Sequence, residues 1–272
     1  MVWSERHAQM LQAMGLRQWS MLQPASALTP KTGLTSLAPL AEGFGQSSHQ
    51  LARKPKGSAP VLRLDSAPNT LDEISLVTNV AALDWPHLRE AVARCRACGL
   101  CDGRTRTVFG AGQTQAHWMV IGDAPGAQED AQGEPFVGAA GQLLDQMLRA
   151  IGLSRSDDQD PAKSVYIANA LKCRPPGNRN PSTDEVAQCR PFLRRQVELL
   201  QPRMILAMGR FAVQALLNST EPIGRLRGRV HSYQRVPTVV TYHPSYLLRN
   251  LNEKARAWED LCLAAANVTV SY

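Results

Sequence analysis

The chain has 272 residues, of which 44% are hydrophobic and 19% charged, with a formal net charge of +7 and a pI near 9.3. That is enough to bury a normal core, as one large domain or two small ones. No run of about 20 apolar residues occurs, which excludes a membrane-spanning helix, and the opening MVWSERHAQMLQAMG lacks the apolar core of a signal peptide. A cytosolic protein is expected. There, six cysteines point to ligands or buried thiols rather than to a disulfide framework. The basic balance mildly favours a polyanionic partner.

Residues 4–20 read as one short helix, with Ser4 as N-cap and Leu11, Met14 and Trp19 as its apolar features. From Gln23 to Asn69 the composition shifts to Pro, Ser, Ala, Gly and Thr around a basic RKPKG at 53–57, the pattern of a flexible linker. The pattern then becomes regular. Trp85–Cys95 is predicted helical, with Asp84 as N-cap and Pro86 in the first turn. His117–Gly122 reads as a buried strand, and Ala139–Ile151 as a helix with Leu143, Leu144, Met147, Leu148 and Ile151 on one face. Ser164–Ala170 is a second strand, Thr183–Leu200 a long helix and Arg203–Met208 a third strand. A helix over 210–217, a fourth strand at Val236–Tyr242 and a helix over Glu253–Asn267 complete the chain.

Strands alternating with helices imply βαβ units, hence a central four-stranded parallel sheet covered on both faces. Sites in such sheets gather outside the carboxyl ends of the strands. Asp123 follows the first strand, Asn169 stands near the end of the second, and His243 follows the fourth. The expected organisation is an N-terminal helical peptide (1–22), a flexible linker (23–79) and one α/β domain of catalytic type (80–272).

Cys95-x2-Cys98 precedes the sheet, and Cys173-x15-Cys189 lies between the second strand and the long helix. Two such pairs can complete one four-coordinate site, which leaves zinc and an iron–sulfur cluster both open. Cys101 forms a rival pair with Cys98, and Cys262 is most simply a buried core thiol.

From Cys95 to the last helix run CRAC with GRTRTVFG, GDAPGAQEDAQGEPFVGAAGQLLDQML, YIANALKCRPPGNRNPSTDEVAQC, RGRV and TYHPSYLLRN. In this order these strings closely resemble the family-4, iron–sulfur uracil-DNA glycosylases. The resemblance implies the three-layer α/β/α fold of that superfamily and a [4Fe–4S] cluster on Cys95, Cys98, Cys173 and Cys189, with Cys101 spare. It also implies hydrolysis of the N-glycosidic bond of uracil in single- and double-stranded DNA, leaving an abasic site for base excision repair.

The residues suit that chemistry. A flipped base needs a shaped pocket, for which Phe136 offers an aromatic platform and Asn169 an amide with both donor and acceptor. A donor such as His243 would stabilise the departing anion, and Asp123 would orient water near the sugar. Gly122 and Ala124 flank Asp123 in the pocket motif, and Glu129 matches a pocket-lining position where it would crowd the 5-methyl of thymine, with a charge at a helix N-terminus as the alternative.

DNA contacts are expected from Ser245, Arg249 and Arg174, with Leu247 or Leu248 filling the gap left by the flipped base. One departure stands out, GDAPG where the family commonly has a glutamate, so the carboxylate of Asp123 is one methylene shorter. The segment 174–188 has no histidine, unlike a neighbouring branch that crosslinks to DNA, so free turnover is expected.

The segment ERHAQMLQAMGLRQWSM is similar to the N-terminal peptide of the psi subunit of the bacterial clamp loader, which implies docking of residues 4–22 on the chi subunit through Trp19. A monomeric, cytoplasmic and nucleoid-associated bacterial enzyme follows from these readings. The alternative is a non-catalytic iron–sulfur protein for DNA binding or replication contacts, its chemistry lapsed through GDAPG.

Overall fold

The computed structural model describes residues 80–156 and 160–268. The predicted helix at 4–20, the linker and the psi-like peptide lie outside the described residues.

Within them, α1 (Trp85–Arg94) begins where Asp84 accepts a hydrogen bond from the His87 N–H, as its sequence implies. A short turn, α2 (Leu100–Gly103), and a two-residue strand, β1 (Ala111–Gly112), lead into β2 (Trp118–Gly122). Helices α3 (Ala127–Gln132) and α4 (Ala139–Ala150) precede β3 (Val165–Asn169). Next come α5 (Thr183–Leu200), β4 (Met204–Met208), α6 (Arg210–Leu217) and α7 (Ile223–Leu226). The chain continues through β5 (Val230–Tyr233), β6 (Val236–Thr241), α8 (Pro244–Arg249) and α9 (Lys254–Val268).

The strands form one sheet in the order β1-β3-β2-β4-β6-β5. The four expected strands are its parallel centre, and β1 and β5 add antiparallel edges, so the sheet is six-stranded and mixed rather than four-stranded.

Alternate residues of the central strands feed two cores, which makes the three layers. Met119, Ile121, Ile205 and Ala207 pack with Val186, Leu193, Val197 and Val213 from α5 and α6. Trp118, Val120, Ile167 and Leu206 pack on the other face with Leu144, Met147, Trp258 and Leu261 from α4 and α9. Cys262 departs from expectation. The stripe Ala257, Trp258, Leu261, Ala264 turns inward, and the next position points outward, leaving Cys262 exposed. Leu144 sits wholly inside the second core. Leu144→Ala should therefore cost about 2–5 kcal/mol in a denaturant melt, and a loss under about 1 kcal/mol would contradict this packing.

Candidate active site

The parallel strands bring Asp123, Asn169 and His243 to one edge of the sheet, as the switch-edge rule anticipates, around a cavity of about 430 Å³. Gly122 and Asn169 are register partners on β2 and β3, and the pairing runs on as Ala170 N–H donates to Gly122 O at 2.8 Å. A Cβ on Gly122 would lie 2.5 Å from both Asn169 Oδ1 and Phe136 Cζ, so a glycine is required beneath the pocket floor. Asn169 is 2% exposed, and its Oδ1 is buried without a hydrogen-bond partner. Such an acceptor costs about 1–3 kcal/mol unless something in the cavity donates to it.

Phe136 walls the cavity with its backbone in the left-handed region (φ 54). Three contacts hold it there. Arg155 Nη1 donates to the carbonyls of Pro135 and Phe136 at 3.3 and 3.2 Å while Arg155 Nε binds Asp145 at 2.7 Å. Gly141 in α4 lies so close that a Cβ would collide with the Phe136 carbonyl. Glu129 accepts from the N–H groups of Val137 and Gly138 through Oε1, at 3.1 and 3.2 Å, and from Gly126 through Oε2 at 3.1 Å. Glu129 lines the cavity, yet its carboxylate is committed to backbone N–H groups at the start of α3 and α4, which fits the alternative sequence reading, a charge at a helix N-terminus, rather than the favoured one.

Asp123 Oδ1 accepts from Phe211 and Ala212 N–H at 2.8 and 2.9 Å, closing the first turn of α6. Burial raises the carboxyl above its ordinary 3.8, opposed by nearby His243 and those two N–H groups. His243 Nδ1 accepts the Ser245 N–H at 3.2 Å and lies 2.8 Å from Ser245 Oγ. With Nδ1 an acceptor, the neutral ring carries its proton on Nε2. Burial pushes the imidazole below 6.5, against the pull of Asp123. The ring stacks on Phe136 with centroids 5.3 Å apart.

Ala124, Ser245 and Arg249 also line the cavity. Arg174 is not among the lining residues. Its Nε is 2.7 Å from Asn178 Oδ1, and it shapes the loop from which Asn178, Arg179 and Asn180 reach the mouth. Leu247 is fully buried in the second core, which removes it as a wedge, while its neighbour Leu248 is 42% exposed. The sequence reading missed Phe211, which lines the cavity under the Arg210 guanidinium, 4.6 Å from its ring. The rule that found the other three would have found it, because Phe211 follows β4, the remaining parallel strand.

The uracil DNA glycosylase superfamily model matches residues 109–262. A type-4 uracil-DNA glycosylase of Archaeoglobus fulgidus is 43% identical over 165 residues, covering 58% of this chain and 79% of that protein. The chain belongs to the type-4 uracil-DNA glycosylases. Others of this name are 37% identical over 189 residues in Pyrobaculum aerophilum (66% of this chain, 93% of that protein) and 40% over 169 in Thermotoga maritima (61% and 84%).

The four cysteines expected as ligands lie in two distant segments of the sequence, and the fold brings them to one place. Cys95, Cys98, Cys101, Cys173 and Cys189 line a second cavity, beneath α1 and α5. Arg104 Nη1 donates to Cys173 Sγ at 3.1 Å and the Lys172 N–H to Cys189 Sγ at 3.2 Å, contacts suited to thiolates. Among the described residues no three His, Cys, Asp or Glu side chains gather tightly enough for a single ion. Cys95, Cys98, Cys173 and Cys189 supply the four-thiol donor set that an iron–sulfur cluster takes. Burial pushes the Cys189 thiol up to about 12 and raises Cys98 and Cys173, so loading the site would release protons.

Proposed function

We propose that this chain flips uracil from single- or double-stranded DNA and hydrolyses its N-glycosidic bond, leaving an abasic site. The observation that carries the reading is the unpaired, buried Oδ1 of Asn169, beside Phe136 in a cavity at the sheet edge. A pyrimidine edge offers this acceptor an N–H and offers the amide N–H₂ a carbonyl. Phe136 stacks on the base, and Gly122 and Ala124 leave it room. Glu129 excludes bulkier bases indirectly, by fixing the backbone of 137–138. As the bond to C1′ breaks, the Nε2–H of His243 donates to the uracil oxygen that gains charge. Asp123 directs a water to C1′. Hydroxide adds to the sugar, and the water's other proton ends on the departing base. Ser245 and Arg249 at the mouth hold phosphates, together with Arg174 and its loop, and Leu248 fills the vacated stack.

Cys95, Cys98, Cys173 and Cys189 would hold a [4Fe–4S] cluster, which would cross-link the α1–α2 segment, the β3–α5 connection and α5 itself. Iron with broad visible absorbance is expected in purified protein, and a colourless zinc protein would overturn this assignment. The segment 4–22 would dock on a clamp-loader chi subunit. Capture of purified chi that Trp19→Ala abolishes supports this docking, and capture indifferent to Trp19 refutes it.

The reaction needs a neutral His243 and an ionised Asp123. Burial moves the two toward each other, down from 6.5 and up from 3.8. Both lose the required form as pH falls, so kcat/KM should fall on the acid side, with the Asp123 contribution starting at higher pH than an ordinary carboxylate would give. The stability contributions have opposite signs. Below 6.5 the unfolded imidazole takes a proton that the folded one refuses, so folding weakens as pH drops toward the folded value. Asp123 takes its proton first in the folded state, so the cost of burying its charge is relieved as pH falls through the raised pKa toward 3.8. A pH–rate profile from 4 to 9 in which the rate holds or rises as pH falls would contradict these roles.

A further inference from the structure

Lys172 is 1% exposed, fully inside the protein, and lies between the two cavities. Its Nζ donates to the backbone carbonyl of Asn169 at 2.8 Å and to Gln196 Oε1 at 2.6 Å. Gln196 is itself fixed, its Nε2 donating to Phe109 O at 2.9 Å and lying 3.3 Å from Tyr166 Oη. The Lys172 backbone is held from the other side, its N–H on Cys189 Sγ and its carbonyl accepting from Val108 N–H at 2.8 Å. One residue thus touches the last carbonyl of β3, which carries the Asn169 amide, and a cysteine of the second cavity.

A buried ammonium is expensive unless paired, and a methionine of similar length would fill the same space without that cost. Among the described residues no Asp or Glu forms an ion pair with Lys172. Its Nζ instead sits where the strand-end carbonyl of Asn169 and the fixed Gln196 amide oxygen both take a donor. Hydrogen bonding of the Asn169 carbonyl fixes the plane of the peptide that follows Asn169, and with it the direction in which the side chain leaves the strand.

We propose that Lys172 is a positioning residue for the base-reading amide of Asn169, and that through it the cysteine site and the uracil pocket share one mechanical link. This inference rests on the proposed function, because it assigns Asn169 to the uracil edge. The cysteine site is then more than a remote staple. Cys189 Sγ holds the Lys172 backbone, and Lys172 Nζ holds the Asn169 carbonyl.

The test uses full-length wild type, Lys172→Met and Gln196→Met, with three readouts: bound iron, inhibition by free uracil and affinity for abasic-site DNA. Free uracil reads the pocket alone, whereas abasic DNA reads the mouth. In iron-containing Lys172→Met, uracil inhibition should weaken about tenfold while abasic-site affinity changes less than about twofold. Gln196→Met removes the acceptor that aims Nζ and should weaken uracil inhibition in the same sense, by about threefold. It carries the test if Lys172→Met fails to fold. Uracil inhibition unchanged in Gln196→Met, or uracil and abasic affinities falling together in iron-containing Lys172→Met, would overturn the link. Wild type that neither releases uracil nor is inhibited by it would instead overturn the functional reading, and the link with it.

Discussion

Asp123→Asn should leave the fold standing and lower kcat for uracil release by about 10²- to 10⁴-fold. Asparagine retains an Oδ1 able to accept from Phe211 and Ala212 N–H, so the cap of α6 survives. What it loses is the negative charge that directs water and favours positive character on the sugar. Asp123→Ala removes both functions, adding about 0.5–2 kcal/mol of lost stability to the lost rate. The difference between the variants separates capping from chemistry. Asp123→Asn at the wild-type rate, with Asp123→Ala merely less stable, would make Asp123 a helix cap alone. The test matters because the Asp123 carboxylate lies directly against the start of α6, where a cap and a catalytic group would look alike.

His243→Ala should lower kcat by about 10²- to 10³-fold, the usual effect of removing one donor aimed at a developing anion. The loss belongs to kcat, because the Nε2–H bond strengthens only as the base gains charge. Binding of abasic-site DNA, which the proposal assigns to Ser245, Arg249 and their neighbours at the mouth, should stay within about threefold of wild type. Single-turnover rates beside abasic-site Kd values make this measurement. An equal fall in both would place His243 in DNA binding or in packing against Phe136.

The four central strands were legible because each is a short apolar run that the fold buries on both faces, and the long helices because their apolar residues recur on one face. The edges were not. β1 is two residues long, and the β5–β6 hairpin turns on Gln234 and Arg235, both at positive φ without the Gly or Asn that usually announces such a turn. Spacing alone left the cysteine ligands ambiguous, and the family motifs supplied the choice. Asp123, Asn169 and His243 followed from the rule about strand ends. What their neighbours do could not be read. The carboxylate of Glu129 reaches backbone eight and nine residues further on. Arg155, in no recognised motif, holds the Phe136 carbonyl. Leu247 and Cys262 were misplaced because a helix face is settled by what packs on it, and side chains one position apart lie about 100° apart around the axis.

Wild-type protein, incubated with a uracil-containing oligonucleotide and then treated with alkali, provides the most direct test of the central claim. Strand cleavage at the uracil, with turnover beyond one equivalent and none in the matching thymine strand, is the expected result. Iron-containing protein that binds the oligonucleotide and leaves it intact would contradict the account and favour a DNA-binding role without catalysis.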